Sequence, residues 1–189
     1  MKRTLKSLIA AICLTGVAAS AQIPRPAPDL AIKSPTGMVS MLSKYKGKAV
    51  ALEFVLTTCP HCQQSCKILT KMHHEFGSQG FTPVAVAINE MAHMYVDDFV
   101  KQFGITFPVG WQNHDTAMLF LQHSMTKPLM MPQIVFIDKE GVIRAQFEGS
   151  DTFFEDELKQ EANMRTQIKK LLQPQAAAKK AAPAAAAKK

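Results

Sequence analysis

A nearly unbroken apolar segment leads into two cysteines that are separated by two residues. Residues 49–56 (Ala-Val-Ala-Leu-Glu-Phe-Val-Leu) have the length and composition of a strand buried on both faces. The motif Cys59-Pro60-His61-Cys62 follows two threonines, and apolar residues then recur at helical spacing up to Gly77. Proline fits the first turn of a helix, because its missing N–H would be unpaired there anyway. The pattern therefore predicts a strand, a tight turn and a helix that begins at the cysteine pair.

This placement assigns a different chemistry to each residue of the motif. The unpaired N–H groups and the macrodipole of a helix N-terminus favour an anion, so we expect Cys59 to be a nucleophilic thiolate. Cys62 lies inside the helix and is expected to resolve a mixed disulfide by attacking the sulfur of Cys59. A protonated His61 would stabilise the thiolate and make the disulfide a stronger oxidant. A purely structural disulfide is the alternative, but so short a loop restrains little chain.

Strands and helices alternate along the rest of the chain. We predict strands at 82–88, 134–137 and 142–148, and a short extended piece at 107–111. We predict further helices at 95–103, 115–123 (with Asp115 near its cap) and 153–172. The proline-containing residues 22–34 are expected to be an extended lead-in. This order predicts an α/β fold, in which a central mixed β-sheet is flanked by helices on both faces.

Both ends of the chain differ from its centre. Residues 1–21 have a basic head, an apolar run at 8–19 and a final Ala-Ser-Ala, which is typical of a cleaved signal peptide. A retained N-terminal anchor is the alternative. No later segment has 18 uninterrupted apolar residues, so we expect no transmembrane segment after cleavage. Residues 174–189 contain almost only Ala, Lys and Pro and are expected to be a disordered tail. Residues 22–173 are then the folded domain.

The charge distribution bears on the partners. The formal net charge of +7 comes entirely from residues 1–21 and 174–189, so residues 22–173 carry no net charge. A neutral domain argues against nucleic acid as a partner. Export to the periplasm or another extracytoplasmic space means that disulfides can form and persist around the protein. We therefore expect the cysteine pair to be a redox centre.

The order of these elements and motifs resembles the thioredoxin superfamily over residues 30–172. Residues 45–48 (Tyr-Lys-Gly-Lys) and 107–109 (Phe-Pro-Val) are similar to those of the exported TlpA/ResA-like thiol–disulfide oxidoreductases. The resemblance implies that Pro132 is a cis-proline beside the cysteine pair and that Met131 offers its backbone to a substrate polypeptide. The Pro60-His61 dipeptide is similar to that of the periplasmic DsbA-type oxidants.

Three positions depart from the pattern of that family. Thr58 replaces the usual tryptophan before the first cysteine, so an aromatic wall is missing where we expect substrate to bind. Lys67 replaces a proline that kinks the active-site helix. Ser65 replaces an acidic residue of the ResA-like reductases, which weakens a specific role in reducing cytochrome c apoproteins.

Three other functions remain open at this stage, one of them a redox-inactive interaction module on a thioredoxin-like scaffold. Cys66 follows Cys62 at the spacing of Sco-type copper chaperones, although a buried thiol packing as a small hydrophobic residue is the simpler interpretation. Soft copper ligands could come from Met91, His93, Met94, Met125, Met130 and Met131. A peroxiredoxin-like peroxide reductase is the second alternative, but Arg144 and Arg165 are far along the chain from Cys59. His73 and His74 could complete a zinc site, although exposed histidines are commoner.

The sequence thus predicts an exported thiol–disulfide oxidoreductase. Its partners would be cysteine-containing exported proteins or a redox partner domain. We expect the protein to act as a monomer. The chemistry requires no organic or metal cofactor.

Overall fold

The structure, a computed structural model, describes residues 22–173. Within that range the strands are β1 (Arg25–Pro26), β2 (Ala31–Lys33), β3 (Val39–Met41), β4 (Ala49–Val55), β5 (Phe81–Ala87), β6 (Val109–Trp111), β7 (Gln133–Ile137) and β8 (Val142–Glu148). The α-helices are α1 (Pro60–Phe76), α2 (Ala92–Phe103), α3 (His114–Leu121) and α4 (Glu157–Leu172). Short 3-10 helices cover Leu42–Tyr45, Gly77–Gln79 and Thr152–Phe154.

All eight of these strands belong to one sheet, in the order β1-β8-β7-β4-β5-β6-β2-β3. β4 is central: it runs parallel to β5 and antiparallel to β7. Every residue of β4, β5 and β7 is buried, which explains their nearly continuous apolar sequences. The predicted mixed sheet is confirmed.

Two apolar layers cover the two faces of this sheet. α1, α2 and α4 pack on one face, against Ala51 and Val55 of β4. α3 and the 3-10 helix at Leu42–Tyr45 pack on the other face, against Leu52 and Phe54 of the same strand. The predicted placement of helices on both faces is therefore confirmed. Alternation along β4 means that Glu53 points to the same side as Ala51 and Val55, toward α1.

Several element ends differ from the sequence prediction for local reasons. The predicted helix at 153–172 is divided, because a 3-10 turn precedes α4 and Asp156 caps it by accepting from the Lys159 N–H. α3 is capped by Asn113, whose side chain accepts from the Thr116 N–H at 2.8 Å; Asp115, the residue that we expected near the cap, lies in the first turn. α2 begins at Ala92, three residues before the predicted start. The lead-in adds strands to both edges of the sheet.

The proposed signal peptide (1–21) and tail (174–189) lie outside the described residues. Among residues 22–173, no helix is both long and apolar enough to cross a membrane.

Candidate active site

The turn between β4 and α1 places the first cysteine at the start of the helix. Cys59 is the N-cap residue of α1, with extended backbone angles, and Pro60 is at the first helical position as predicted. The Cys59 carbonyl accepts from the Gln63 N–H at 3.0 Å, and its own N–H donates to the Leu56 carbonyl at 3.0 Å. Cys59 is half-buried as a residue, and its neighbours Thr58 and Pro60 are exposed. Cys59 therefore lies at the N-terminal end of α1, which is the end of a helix that favours an anion.

Side chains from two other positions hold this turn in place. The side-chain amide oxygen of Asn89 accepts from the Thr57 backbone N–H at 3.1 Å and from the Thr57 hydroxyl at 3.3 Å. The Gln63 amide donates to the Thr57 carbonyl at 3.0 Å. Asn89 follows β5, which is the strand beside β4. The backbone just before Cys59 is therefore tied both to the neighbouring strand end and to the helix that follows.

The second cysteine of the motif has a different environment. Cys62 is fully buried, and both Cys59 and Cys62 are free thiols in this structure. Burial raises the pKa of the Cys62 thiol, and the nearby Glu53 carboxylate raises it further. His61, between them, is exposed on the first turn of the helix. One thiol can thus meet a partner molecule, while the other is enclosed and holds its proton.

The Met131-Pro132 segment is the other part of the expected site. The peptide bond between these residues is cis, in agreement with the expectation from the resemblance. Pro132 is buried, and the half-buried Met131 packs against both apolar layers. The loop is held by Met130, whose carbonyl accepts from the Gln133 side chain at 2.7 Å and from the Gly149 N–H at 3.1 Å.

A buried acid beneath the cysteine helix was missed by the sequence analysis. Glu53 is fully buried in β4 and accepts hydrogen bonds from the Ser65 hydroxyl and from the Cys66 thiol (Sγ to Oε2, 3.6 Å). Burial raises the pKa of Glu53 to about 8, although both hydrogen bonds act in the opposite direction. A group with this pKa can exchange protons near neutral pH.

One signal in the sequence could have revealed this acid. Glu53 is the only charged residue in the apolar run 49–56, and it lies six positions before Cys59. Because an unpaired charge is costly inside a buried strand, an acid there needs a partner or a proton. The family resemblance locates an acid at position 65, on the helix. In this chain position 65 is the serine that donates to an acid on the strand.

The contacts around Cys66 favour the simpler interpretation of that residue. It is fully buried and bonded to Glu53, and burial raises the pKa of its thiol well above the usual value. Within residues 22–173, no group of three or more His, Cys, Asp or Glu side chains is arranged to hold a metal ion. The methionines named as soft ligands differ in exposure: Met91, Met94, Met125 and Met130 are exposed, and Met131 is half-buried.

The arrangement around Cys59 also gives no support for a peroxide pocket. Arg144 pairs with Asp138, and Arg165 pairs with Glu75 and Glu161. The Thr57 hydroxyl, two residues before Cys59, donates to the Asn89 side chain. Arg144 and Arg165 are therefore both paired with carboxylates elsewhere in the fold.

A mixed sheet with a half-exposed cysteine at a strand-to-helix turn, a buried second cysteine and a cis-proline loop defines a thioredoxin-like protein. The AhpC/TSA family profile matches residues 23–146. The chain therefore belongs to the AhpC/TSA family.

The similar proteins agree on the chemistry. The chain is 30% identical over 126 residues to the thiol-disulfide oxidoreductase ResA of Geobacillus kaustophilus, covering 67% of this chain and 69% of that protein. It is 32% identical to ResA of Bacillus subtilis, covering 67% of each. A crystal structure of a putative thiol:disulfide interchange protein DsbE from Chlorobium tepidum matches with a TM-score of 0.68 and 25% identity, over 82% of this chain and all of that one. The protein is a thiol–disulfide oxidoreductase of the TlpA/ResA-like kind.

Proposed function

We propose that this protein exchanges disulfides with exported, cysteine-containing proteins in an extracytoplasmic space, through Cys59 and Cys62. The observation that carries the proposal is the unequal exposure of the two thiols at the start of α1. A substrate sulfur can reach only the half-exposed Cys59, while Cys62 is enclosed one turn further along the helix. The signal-like residues 1–21 support the location.

The exchange would proceed in two steps at these thiols. The Cys59 thiolate attacks a substrate disulfide, and one substrate sulfur leaves as a thiolate. Cys62 then loses its proton and attacks the Cys59 sulfur, which releases the second substrate sulfur and leaves a Cys59–Cys62 disulfide. Two electrons pass from the enzyme dithiol to the substrate. The same steps run in reverse when the enzyme disulfide oxidises a substrate dithiol.

Glu53 supplies the acceptor that the second step requires. Because burial raises the pKa of Cys62, this thiol needs a base before it can attack. The Glu53 carboxylate is close enough for its charge to raise the pKa of Cys62, and its own pKa of about 8 lets it take up and return a proton. We infer that Glu53 is the proton acceptor for Cys62 and its donor in the reverse reaction.

The surface that meets the substrate would be formed around the exposed Thr58 and the Met131-Pro132 loop. Met131 would offer its backbone to an extended segment of the substrate beside its cysteine. His61, exposed next to Cys59, would stabilise the thiolate when protonated and so raise the reduction potential. The proposal therefore favours a general oxidoreductase of relatively high potential, acting as a monomer.

The reduction potential of the purified protein tests this proposal. The protein is equilibrated in glutathione buffers of graded ratio, and alkylated thiols are counted by mass and assigned by peptide mapping. A Cys59–Cys62 couple near about −120 mV would mark an oxidant, and one near about −270 mV a thioredoxin-like reductant. Cys59→Ser must abolish the couple. A wild-type protein that forms no such couple would overturn the proposed function.

A further inference from the structure

The buried carboxylate under the active-site helix has a hydrogen-bond donor on each oxygen. Ser65 donates its hydroxyl to Oε1 of Glu53, and Cys66 donates its thiol to Oε2 at 3.6 Å. The two donors are consecutive residues of α1, one turn after Cys62, and both are fully buried. Two donors from one helix fix both the rotation of the carboxylate and its position beneath that helix.

Among residues 22–173, the other surroundings of Glu53 provide no further charge that would stabilise its ionised form. The titratable groups that face it from α1 are Cys62 and Cys66, whose thiols are neutral because burial raises their pKa values. Its partners in the neighbouring strands are Ala85 and Ile134. α4 contributes apolar side chains to this layer, namely Met164, Ile168 and Leu171. The two hydrogen bonds are therefore the interactions that favour the ionised carboxylate against desolvation.

We propose that Ser65 and Cys66 are positioning residues for the proton transfer between Cys62 and Glu53, because they hold the carboxylate in one orientation and stabilise its ionised form. The inference rests on the proposed function, since it concerns the step in which Cys62 attacks Cys59. Neither residue touches the substrate or exchanges electrons. They act through Glu53.

Groups of this chain and of the substrate supply and accept every proton and electron pair in this step. In the mixed disulfide between Cys59 and a substrate, the Cys62 thiol gives its proton to the Glu53 carboxylate. The Cys62 sulfur then forms a bond to the Cys59 sulfur, and the bond between Cys59 and the substrate sulfur breaks. The substrate sulfur leaves with the electron pair as a thiolate. In reverse, Glu53 returns the proton to Cys62 when the enzyme disulfide opens.

The two donors differ in strength, so the proposal predicts the direction in which each substitution changes the proton affinity of Glu53. A hydroxyl is a stronger donor than a thiol. Removing the Ser65 hydroxyl should therefore raise the proton affinity of Glu53 more than removing the Cys66 thiol does. Cys66→Ser replaces a weak donor with a stronger one of similar size, so it should lower the proton affinity of Glu53. Cys66→Ala and Cys66→Ser thus have opposite expected effects at one position.

The rate at which the mixed disulfide resolves provides the measurement. The reduced protein is mixed with glutathione disulfide, quenched in acid at short times, and the enzyme–glutathione adduct is followed by mass between pH 5 and pH 10. For the wild type we expect the rate to rise with pH through an inflection set by Glu53. Glu53→Gln should lose that inflection and slow resolution at pH 7 by at least about tenfold.

The helix variants should shift this inflection without abolishing it. Ser65→Ala should move it upward by about one pH unit, because it loses one hydrogen bond to a charged group. Cys66→Ala should move it upward by less, and Cys66→Ser should move it downward. Ser65→Thr, which keeps a hydroxyl, should restore the wild-type profile. Thr70→Val is the matched control, since Thr70 is on the same helix and its buried hydroxyl has no partner among the described residues.

The results of these experiments separate the positioning role of Ser65 and Cys66 from the oxidoreductase function. If the profiles of Ser65→Ala and both Cys66 variants superimpose on that of the wild type, the positioning role is wrong while the oxidoreductase function stands. If the wild type forms no adduct and no Cys59–Cys62 disulfide, the proposed function itself fails. Should Ser65→Ala fail to fold, the infrared carbonyl band of protonated Glu53, assigned with Glu53→Gln, must disappear at lower pH in Cys66→Ser than in the wild type. An unchanged band would overturn the proposal.

Discussion

The backbone of Met131 lies directly against Gly149, so closely that a β-carbon at position 149 would be 2.2 Å from the Met131 carbonyl oxygen. The Gly149 N–H also donates to the Met130 carbonyl at 3.1 Å. Gly149 follows β8, at the end of the sheet where the cis-proline loop enters β7. The absence of a side chain at this position is therefore what lets the loop occupy its place.

Gly149→Ala is expected to displace the Met131-Pro132 loop. The new methyl group must move backbone atoms, and such overpacking costs about 1–3 kcal/mol in the free energy of unfolding. Exchange with a protein disulfide should slow more than exchange with glutathione disulfide, because in the proposed function only a protein substrate docks against this loop. Both rates and urea unfolding are measured together. Gly77→Ala is the matched control, since its nearest neighbour is a His73 side-chain atom at 3.3 Å. Equal slowing for both disulfides would contradict this role of the loop.

The titration of Glu53 should make the stability of the fold depend on pH. Its pKa is about 8 in the folded protein, against an ordinary value of 4.5. Between these values the folded protein keeps a proton that the unfolded chain has lost, so stability falls as the pH rises through this window. Glu53→Gln removes the effect. From pH 5 to pH 8, the unfolding free energy of the wild type should fall by a few kcal/mol relative to that of Glu53→Gln. A constant difference in urea unfolding of the reduced proteins would refute this.

Loss of the Asn89 side chain should disturb the turn before Cys59. Asn89→Ala leaves the N–H of the buried Thr57 without its acceptor, which costs about 1–3 kcal/mol. We expect the second-order rate of Cys59 with glutathione disulfide to fall several-fold, because the thiol loses its fixed position. Asn163→Ala, which removes a half-buried amide bonded to the Phe153 carbonyl in another part of the fold, is the control. Equal rates in the two variants would show that the turn holds without Asn89.

The three cysteines of the described domain should differ sharply in alkylation. Cys59 is half-buried, whereas Cys62 and Cys66 are fully buried and burial raises the pKa of both. Iodoacetamide added to the reduced, native protein at pH 7 should therefore modify Cys59 at least about tenfold faster than the other two. Peptide mapping by mass identifies the modified residues. All three should react in denaturant, and rapid native modification of Cys62 would contradict the enclosed site.

The sequence could predict the central part of this fold because local signals agree there. The apolar run of β4, Pro60 at the start of α1 and the hydrophobic spacing that follows all indicate the same strand–turn–helix unit. The edge strands were harder to predict, since β1–β3 are only two or three residues long, and β1 and β2 lie in the proline-containing lead-in. Such strands depend on pairing with distant residues, as Arg25 does with Ile143.

Glu53 shows why the proton acceptor could not be derived from the motif alone. Within the run 49–56 it interrupts an apolar pattern and carries no local sign of a partner. Its donors are 12 and 13 positions further along the chain, and only the packing of α1 on β4 brings them together. Cys59, Cys62 and Pro132 were predictable because the strand–helix motif and the family resemblance identify them directly.

The location of the acid on β4 instead of α1 has a consequence for protein engineering. The residues between the two cysteines, Pro60 and His61, are exposed on the first turn of the helix, whereas Glu53 belongs to the innermost strand of the sheet. Replacing the dipeptide leaves the strand untouched. Substitutions of the dipeptide can therefore change the surroundings of the Cys59 thiol without altering the strand that carries the proposed proton acceptor.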